Sequence, residues 1–200
     1  MLKAVTAPPS TRVVRPDFPL RTERLLIRPL TLEDVDALHA YRSIPEVCRF
    51  VPFEPMDKDE IAARIGRQWA SRELTDDGQV FILGVEVVES GIVVGDVMLA
   101  WSSREHATGE IGWIQHPEHS GHGYATEAAR ALLELGFDGI GLHRMMARLD
   151  ERNEASTRLC QRLGMRQEAR LVENEWFKGE WTNELDFAIL DYEWRALDAG

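Results

Sequence analysis

The stretch Ser120-Gly121-His122-Gly123-Tyr124-Ala125-Thr126-Glu127 limits this chain more than any other. It follows Glu110–Gln115 (EIGWIQ), whose alternating pattern predicts a strand, and it runs directly into a helix. The predicted apolar face of that helix is Ala125, Ala128, Ala129, Leu132, Leu133 and Gly136, with Gly139 and Gly141 as its stop. Small side chains on this face let the helix lie close to a sheet. The first N–H groups of a helix have no partner within it, and the aligned peptide dipoles place partial positive charge there. Two glycines just ahead let backbone amides approach an anion without side-chain interference. A phosphate or pyrophosphate is the natural guest. The loop alone does not name the ligand, because an ordinary tight turn uses the same glycines. A dinucleotide fingerprint fits poorly, with Thr126 at its third glycine position, and no Gly-Lys-Ser/Thr of a P-loop occurs.

Around this stretch the pattern reads β-α-α-β-β-β-α-β-α-β-β. Strands are predicted at Glu23–Arg28, Val80–Glu89, Ile92–Trp101, Glu110–Gln115, Arg144–Asp150, Arg166–Glu175 and Trp181–Tyr192. Helices are predicted from Thr31, from Asp57, after Gly123 and over Asn153–Leu163. Hairpins beside helical crossovers imply an α/β (mixed α+β) fold: a mixed, mostly antiparallel twisted sheet of about seven strands flanked by four helices. One domain is expected over residues 20–195. The preceding residues 1–19 hold Pro8, Pro9, Pro16 and Pro19, which favour an extended arm, either mobile or laid on a partner subunit. They contain no apolar core of a signal peptide. No apolar run approaches bilayer length. Cys48 and Cys160 form no paired motif, which fits a reducing, cytoplasmic compartment. A formal net charge of −11 argues against nucleic acid and is compatible with a cationic substrate.

A second element follows about thirty residues on: Asn153-Glu154-Ala155-Ser156-Thr157-Arg158-Leu159-Cys160-Gln161-Arg162-Leu163-Gly164-Met165. Asn153 is placed to cap a helix, Leu159 and Leu163 to pack inward, and Gly164 to end it. The two elements in this order resemble the GNAT (GCN5-related) N-acetyltransferase superfamily. There a Gly-x-Gly/Ala loop binds the coenzyme A pyrophosphate and an Asn-x-x-Ser/Ala helix completes the site. Leu20-Arg21-Thr22-Glu23-Arg24-Leu25…Arg28-Pro29, with Gly123 to Ala128, looks like the RimJ/RimL branch that acetylates ribosomal-protein amino termini. The likeness runs from about Leu20 to Ile189. Ser120 and Met165 depart from the family's usual residues, and Cys160 stands where many members carry a tyrosine as the acid.

The resemblance implies transfer of an acetyl group from acetyl-CoA to an amine, with no metal cofactor. It implies that Gly121, His122, Gly123, Tyr124, Ala125 and Thr126 bind the pyrophosphate. Backbone groups of Ile114, Gln115 and His116 would meet pantetheine and polarise the carbonyl, with Asn153 and Ser156 completing the cofactor site. By the same likeness Glu175 is the general base and Ser156 the acid, with Cys160 as an alternative proton donor. Trp176 is expected to desolvate Glu175. The acidic run Glu173, Glu175, Glu180, Glu184 and Asp186 would draw cationic amines such as a peptide amino terminus, polyamine or aminoglycoside. His116, His119 and His122 stand at spacing three, but Pro117 and Gly121 prevent the helix that would align them on a metal. The rival functional class is an acyl-CoA-binding sensor or structural subunit without turnover. A homodimer, the acceptor's identity and a longer acyl donor stay open.

Overall fold

In the computed structural model, which describes residues 13–198, one sheet forms the centre of the fold. Its strands are β1 (Leu20–Arg21), β2 (Leu25–Pro29), β3 (Val80–Val87), β4 (Val93–Ser103), β5 (Thr108–Gln115), β6 (Arg144–Asp150), β7 (Arg166–Phe177) and β8 (Glu180–Leu190). The eight lie in the order β1-β2-β3-β4-β5-β6-β8-β7. Every pairing is antiparallel except that of β5 with β6. The helices are α1 (Val35–Arg42), α2 (Pro45–Cys48), α3 (Lys58–Arg64), α4 (Tyr124–Glu134), α5 (Glu154–Arg162) and α6 (Asp191–Asp198).

Strand alternation divides the core between the two faces of the sheet. Phe81 and Leu83 of β3 join Ala128, Ala129, Leu132 and Leu133 of α4 and Leu159 of α5 in one cluster. Ile82, from between them, packs with Leu38 and Tyr41 of α1, Ile61 of α3 and Trp69 in the other. Each fully buried leucine or phenylalanine contributes roughly 1.5–3 kcal/mol, far more than helix propensity does, so packing decides where the helices lie. The small face of α4 does what its residues suggest. A Cβ on Gly136, just past α4, would stand 2.8 Å from the Met145 sulfur, so the Met145 side chain of β6 packs directly on the glycine.

The mixed, mostly antiparallel sheet matches the sequence expectation, with β1 as an added edge strand. The helix stops at the second of the two glycines expected to end it. A π-helical segment, Leu135–Ile140, carries the chain past Gly139 to Gly141, which ends it at φ +85°. Two helices were not expected. The short α2 begins with Pro45 at its first turn and has too few residues to show a period. The last strand ends at Leu190 rather than Tyr192, because Asp191 opens α6 and Glu193 accepts the Leu190 N–H at 2.8 Å. Of the proposed arm, residues 1–12 lie outside the described residues. Val14 pairs with Leu74 through backbone hydrogen bonds of 2.9 and 3.0 Å, and Phe18 meets Phe81 edge-on. Among the described residues no helix is long and apolar enough to cross a membrane.

Candidate active site

The parallel strands β5 and β6 pair only from Thr108–Arg144 to Glu110–Met146. Beyond that β5 stays with β4 up to Gln115, while β6 stays with β8 up to Asp150, and the sheet opens between them. A cavity of about 450 Å³ occupies the opening. Ile111 to Ile114 line one side, Arg148 to Asp150 the other, and Asn153, Ser156, Glu175 and Glu184 complete the wall. A smaller recess shares Trp113 and Ile114 with the cavity and is also lined by Gln115, Tyr124 and Ala125 at the start of α4. One edge of β5 therefore connects the helix entrance to the cavity.

Backbone groups along a strand alternate between its two neighbours. The His116 N–H donates to Val94 O at 2.9 Å and its carbonyl accepts the His119 N–H at 3.0 Å, and by alternation Ile114 spends its backbone groups on the β4 side. Ile111, Trp113 and Gln115 turn theirs toward the opening. Of the three backbones singled out from the sequence, Gln115 alone faces it.

At the α4 entrance Gly121 has φ +83° and Gly123, the cap residue, φ +82°, a region that costs other residues roughly 1–2 kcal/mol. No side chain caps this helix end. Instead Glu127, in the first turn, is clamped by the β1–β2 corner. It accepts from Thr22 Oγ1 at 2.6 Å, Arg24 N at 2.9 Å and Arg24 Nε at 2.7 Å. Burial pushes the Glu127 carboxyl up, but the hydrogen bonds from Thr22 and Arg24 outweigh it and hold the group below its ordinary range. Arg24 also donates to His122 O at 3.0 Å and lies over the Tyr124 ring, on which His122 stacks. Two segments quoted separately from the sequence are thus two halves of one joint.

The α5 entrance supplies the next group. Asn153 Oδ1 accepts the Ser156 N–H at 3.1 Å, and the Trp113 indole donates to Ser156 Oγ at 3.1 Å. With Oγ acting as acceptor there, the serine's own proton stays available to the cavity. Cys160 does not reach this space: it is fully buried in the core, where burial pushes its thiol up to about 12. Trp113 carries no sequence signal for this contact, since its indole and Ser156 meet across strand and helix.

Glu175 stands opposite Thr182 on β7, just after a bulge in which Leu171 to Glu175 face only Glu184 to Thr182. Glu173 sits in that bulge at φ +48°, its N–H bonded to Asn183 Oδ1 at 2.8 Å. Trp176 points to the opposite face and lies edge-on to Trp181, so it does not shield Glu175, which is exposed. Glu110 and Glu184 share the wall with Glu175, and Arg148 bonds Glu110 at 2.6 Å. Burial lifts the Glu184 carboxyl above its usual range; Asp186, Glu175 and Glu110 add to the rise and Arg148 opposes it. The other two acids of the run are elsewhere. Glu180 pairs with Arg152, and Glu173 is held in the bulge.

Phe50 to Phe53 roof the cavity. Lys178, in the β7–β8 turn, holds that loop by donating to Cys48 O at 2.7 Å and Phe53 O at 2.8 Å. Arg42 and Asp96 form an ion pair in the same wall. His116 uses Nδ1 to accept the Glu118 N–H, and among the described residues no group of three or more His, Cys, Asp or Glu is arranged to hold a metal ion.

Comparisons with known proteins agree with this fold. The family described as Acetyltransferase (GNAT) domain matches residues 24–166. A Bacillus subtilis (strain 168) protein named Uncharacterized N-acetyltransferase YnaD is 31% identical over 88% of this chain and 98% of its own length. A crystal structure of a GNAT-family acetyltransferase from Bacillus anthracis superposes with a TM-score of 0.79 at 30% identity, covering 87% of this chain and 99% of that one. Spermidine N-acetyltransferase from Vibrio cholerae, solved with CoA and spermine, shares the fold at a TM-score of 0.74 and 22% identity, covering 87% of this chain and 99% of that one.

Proposed function

The chain belongs to the GNAT acetyltransferase family and is an N-acetyltransferase, and from that premise we propose that it moves the acetyl group of acetyl-CoA to a primary amine by direct attack, with Glu175 as base. The observation that carries the reading is the single cavity bordered by Trp113, Asn153, Ser156 and Glu175, joined along β5 to the bare entrance of α4. On this reading the pyrophosphate rests on the amides from Gly121 to Thr126, with His122, Tyr124 and Ala125 around it. Pantetheine follows the free edge of β5 at Gln115 and Trp113, beside Ile114 and His116, and the thioester ends near Asn153 and Ser156. Residues 20–195 act as the one catalytic unit.

The amine nitrogen attacks the thioester carbon, its proton goes to the Glu175 carboxylate, and the C–S bond breaks. The thiolate takes the hydroxyl proton of Ser156, whose oxygen is stabilised by the Trp113 N–H and recovers a proton from water. An α-amino group, with a pKa of roughly 8, needs little help to be neutral at physiological pH. The acidic wall of Glu110, Glu175 and Glu184 suits a cationic acceptor, either a small amine or a peptide amino terminus as in the RimJ/RimL branch. Two free, buried cysteines suit a cytoplasmic setting.

A second reading gives the base role to Glu184, the carboxylate on this wall that is pushed toward neutrality. Glu175→Gln and Glu184→Gln separate the two. General-base loss should lower kcat by ~10²–10⁴ in one variant only, with CoA affinity kept. Full turnover in Glu175→Gln removes it from the role, and no thiol release with any amine would mean a CoA-binding subunit instead.

A further inference from the structure

The sheet face beneath the cavity is divided in its chemistry. Ile82, Met98 and Gly112 stand opposite one another across β3, β4 and β5, so they share one face. A Cβ on Gly112 would lie 3.3 Å from Met98 Cε, so the methionine methyl rests against the bare glycine and the row is smooth as well as apolar. Strands this central in a sheet normally bury such side chains completely. Ile82 and Met98 are nevertheless only half-buried, and both line the cavity. Glu110, two residues before Gly112 on the same face, begins the acidic half, which Glu184 and Glu175 continue.

Aromatic carbon also stands beside the base. Phe177 follows Glu175 by two residues in unbroken register with β8, so it shares that strand face and the cavity wall. Phe53, whose carbonyl Lys178 holds at 2.8 Å, closes the cavity from above and, like Ile82, packs on the core between α1 and α3. In the acetyl-transfer reading the donor follows the Trp113 and Gln115 backbone and ends at Ser156, which leaves the Ile82–Met98–Gly112 row to the acceptor. Resting on that reading, we propose that the acceptor is a primary amine borne on an apolar body, of the arylalkyl or branched-alkyl type. Its nitrogen meets the acidic half, and its carbon body covers Ile82, Met98 and Gly112 beneath Phe53. Polyamines fit this class poorly, because laying their further ammonium groups over the row strips water from charge without supplying a partner.

Thiol release from acetyl-CoA by the unaltered protein tests this with phenethylamine, isoamylamine, ethylamine and spermidine, kcat/KM being expressed per unprotonated primary amine across several pH values. Phenethylamine and isoamylamine should exceed the other two by roughly tenfold or more, the factor that burying a side-chain-sized apolar group brings. Met98→Gln and, separately, Ile82→Asn place an amide in the row. Each should shrink that lead by at least about threefold with the Kd for CoA kept, whereas Met98→Leu, which keeps the carbon, should retain the lead. A lead that survives both amide variants would put the body elsewhere and overturn the proposal. Hexanoyl-CoA with ethylamine examines the rival occupant: if it outruns acetyl-CoA while phenethylamine gains nothing, the row belongs to the acyl chain and the proposal falls. Ethylamine or spermidine matching phenethylamine would also overturn it and leave acetyl transfer standing. Absence of thiol release with every amine would overturn both readings.

Discussion

Replacing Gly123 by valine separates the cost of backbone strain from the loss of an anion site. At φ +82° any residue with a Cβ loses roughly 1–2 kcal/mol, and a β-branched one lies at the upper end. The new Cβ would meet Arg24 Nη2 at 3.4 Å, the far end of a side chain that can move, so sterics add little. Against a total stability of roughly 5–15 kcal/mol the variant still folds. Its Tm should fall by roughly 2–8 °C for a domain of this size. Binding should suffer more. If the valine displaces two hydrogen bonds between α4 amides and the pyrophosphate, each worth ~1.5–3 kcal/mol, the loss is at least ~3 kcal/mol. That is about a hundredfold in Kd for CoA, read by isothermal titration calorimetry. Gly141→Val is the control: Gly141 has φ +85° with open space around it, at the far end of the same helix. It should lose comparable stability and bind CoA normally. A Gly123→Val protein that melts lower but binds CoA within about threefold of the parent would refute the assignment of this loop to the diphosphate.

Ser156→Ala should lower kcat by at least ~10² with CoA affinity nearly kept, whereas Cys160→Ala should leave turnover intact. Activity unaffected by Ser156→Ala would return the proton donor to water. The joint at Glu127 makes a pH-dependent contribution to stability. Because its folded pKa is depressed, the contribution is complete above the ordinary carboxylate value near ~4.3 and is lost as pH falls through the lower folded value. Arg24 is 45% exposed, so Glu127→Gln should cost at pH 7 an amount near the low end of ~1.5–3 kcal/mol. By urea unfolding that gap should narrow toward pH 3, and a gap that stays constant would deny the carboxylate its part.

The elements that hold the cofactor side were legible because local rules set them. Glycine before a helix, an asparagine cap and a small-residue face are readable one segment at a time, and α4, α5 and β6 lie close to where their residues predict. Contacts between distant segments were not legible. Nothing in Thr22 or Arg24 says that they grip Glu127, and nothing in Trp113 says that its indole meets Ser156. The Glu173 bulge hid in a continuous strand pattern, since two additional residues preserve the period of two and keep Glu175 on the cavity side. Trp176 was misread for the same geometric reason: adjacent residues on a strand face opposite ways. Arg42 shows no periodic or motif signal; only burial against Asp96 singles it out.

The lysine at the β7–β8 turn has a consequence for how specificity can change. Lys178 ties the covering segment to the hairpin that bears Glu175. A new acceptor preference grafted as the Phe50–Phe53 segment alone would arrive without its anchor. Exchange between homologues should succeed only when segment and hairpin travel together, so that selectivity and proton removal are inherited as one cassette.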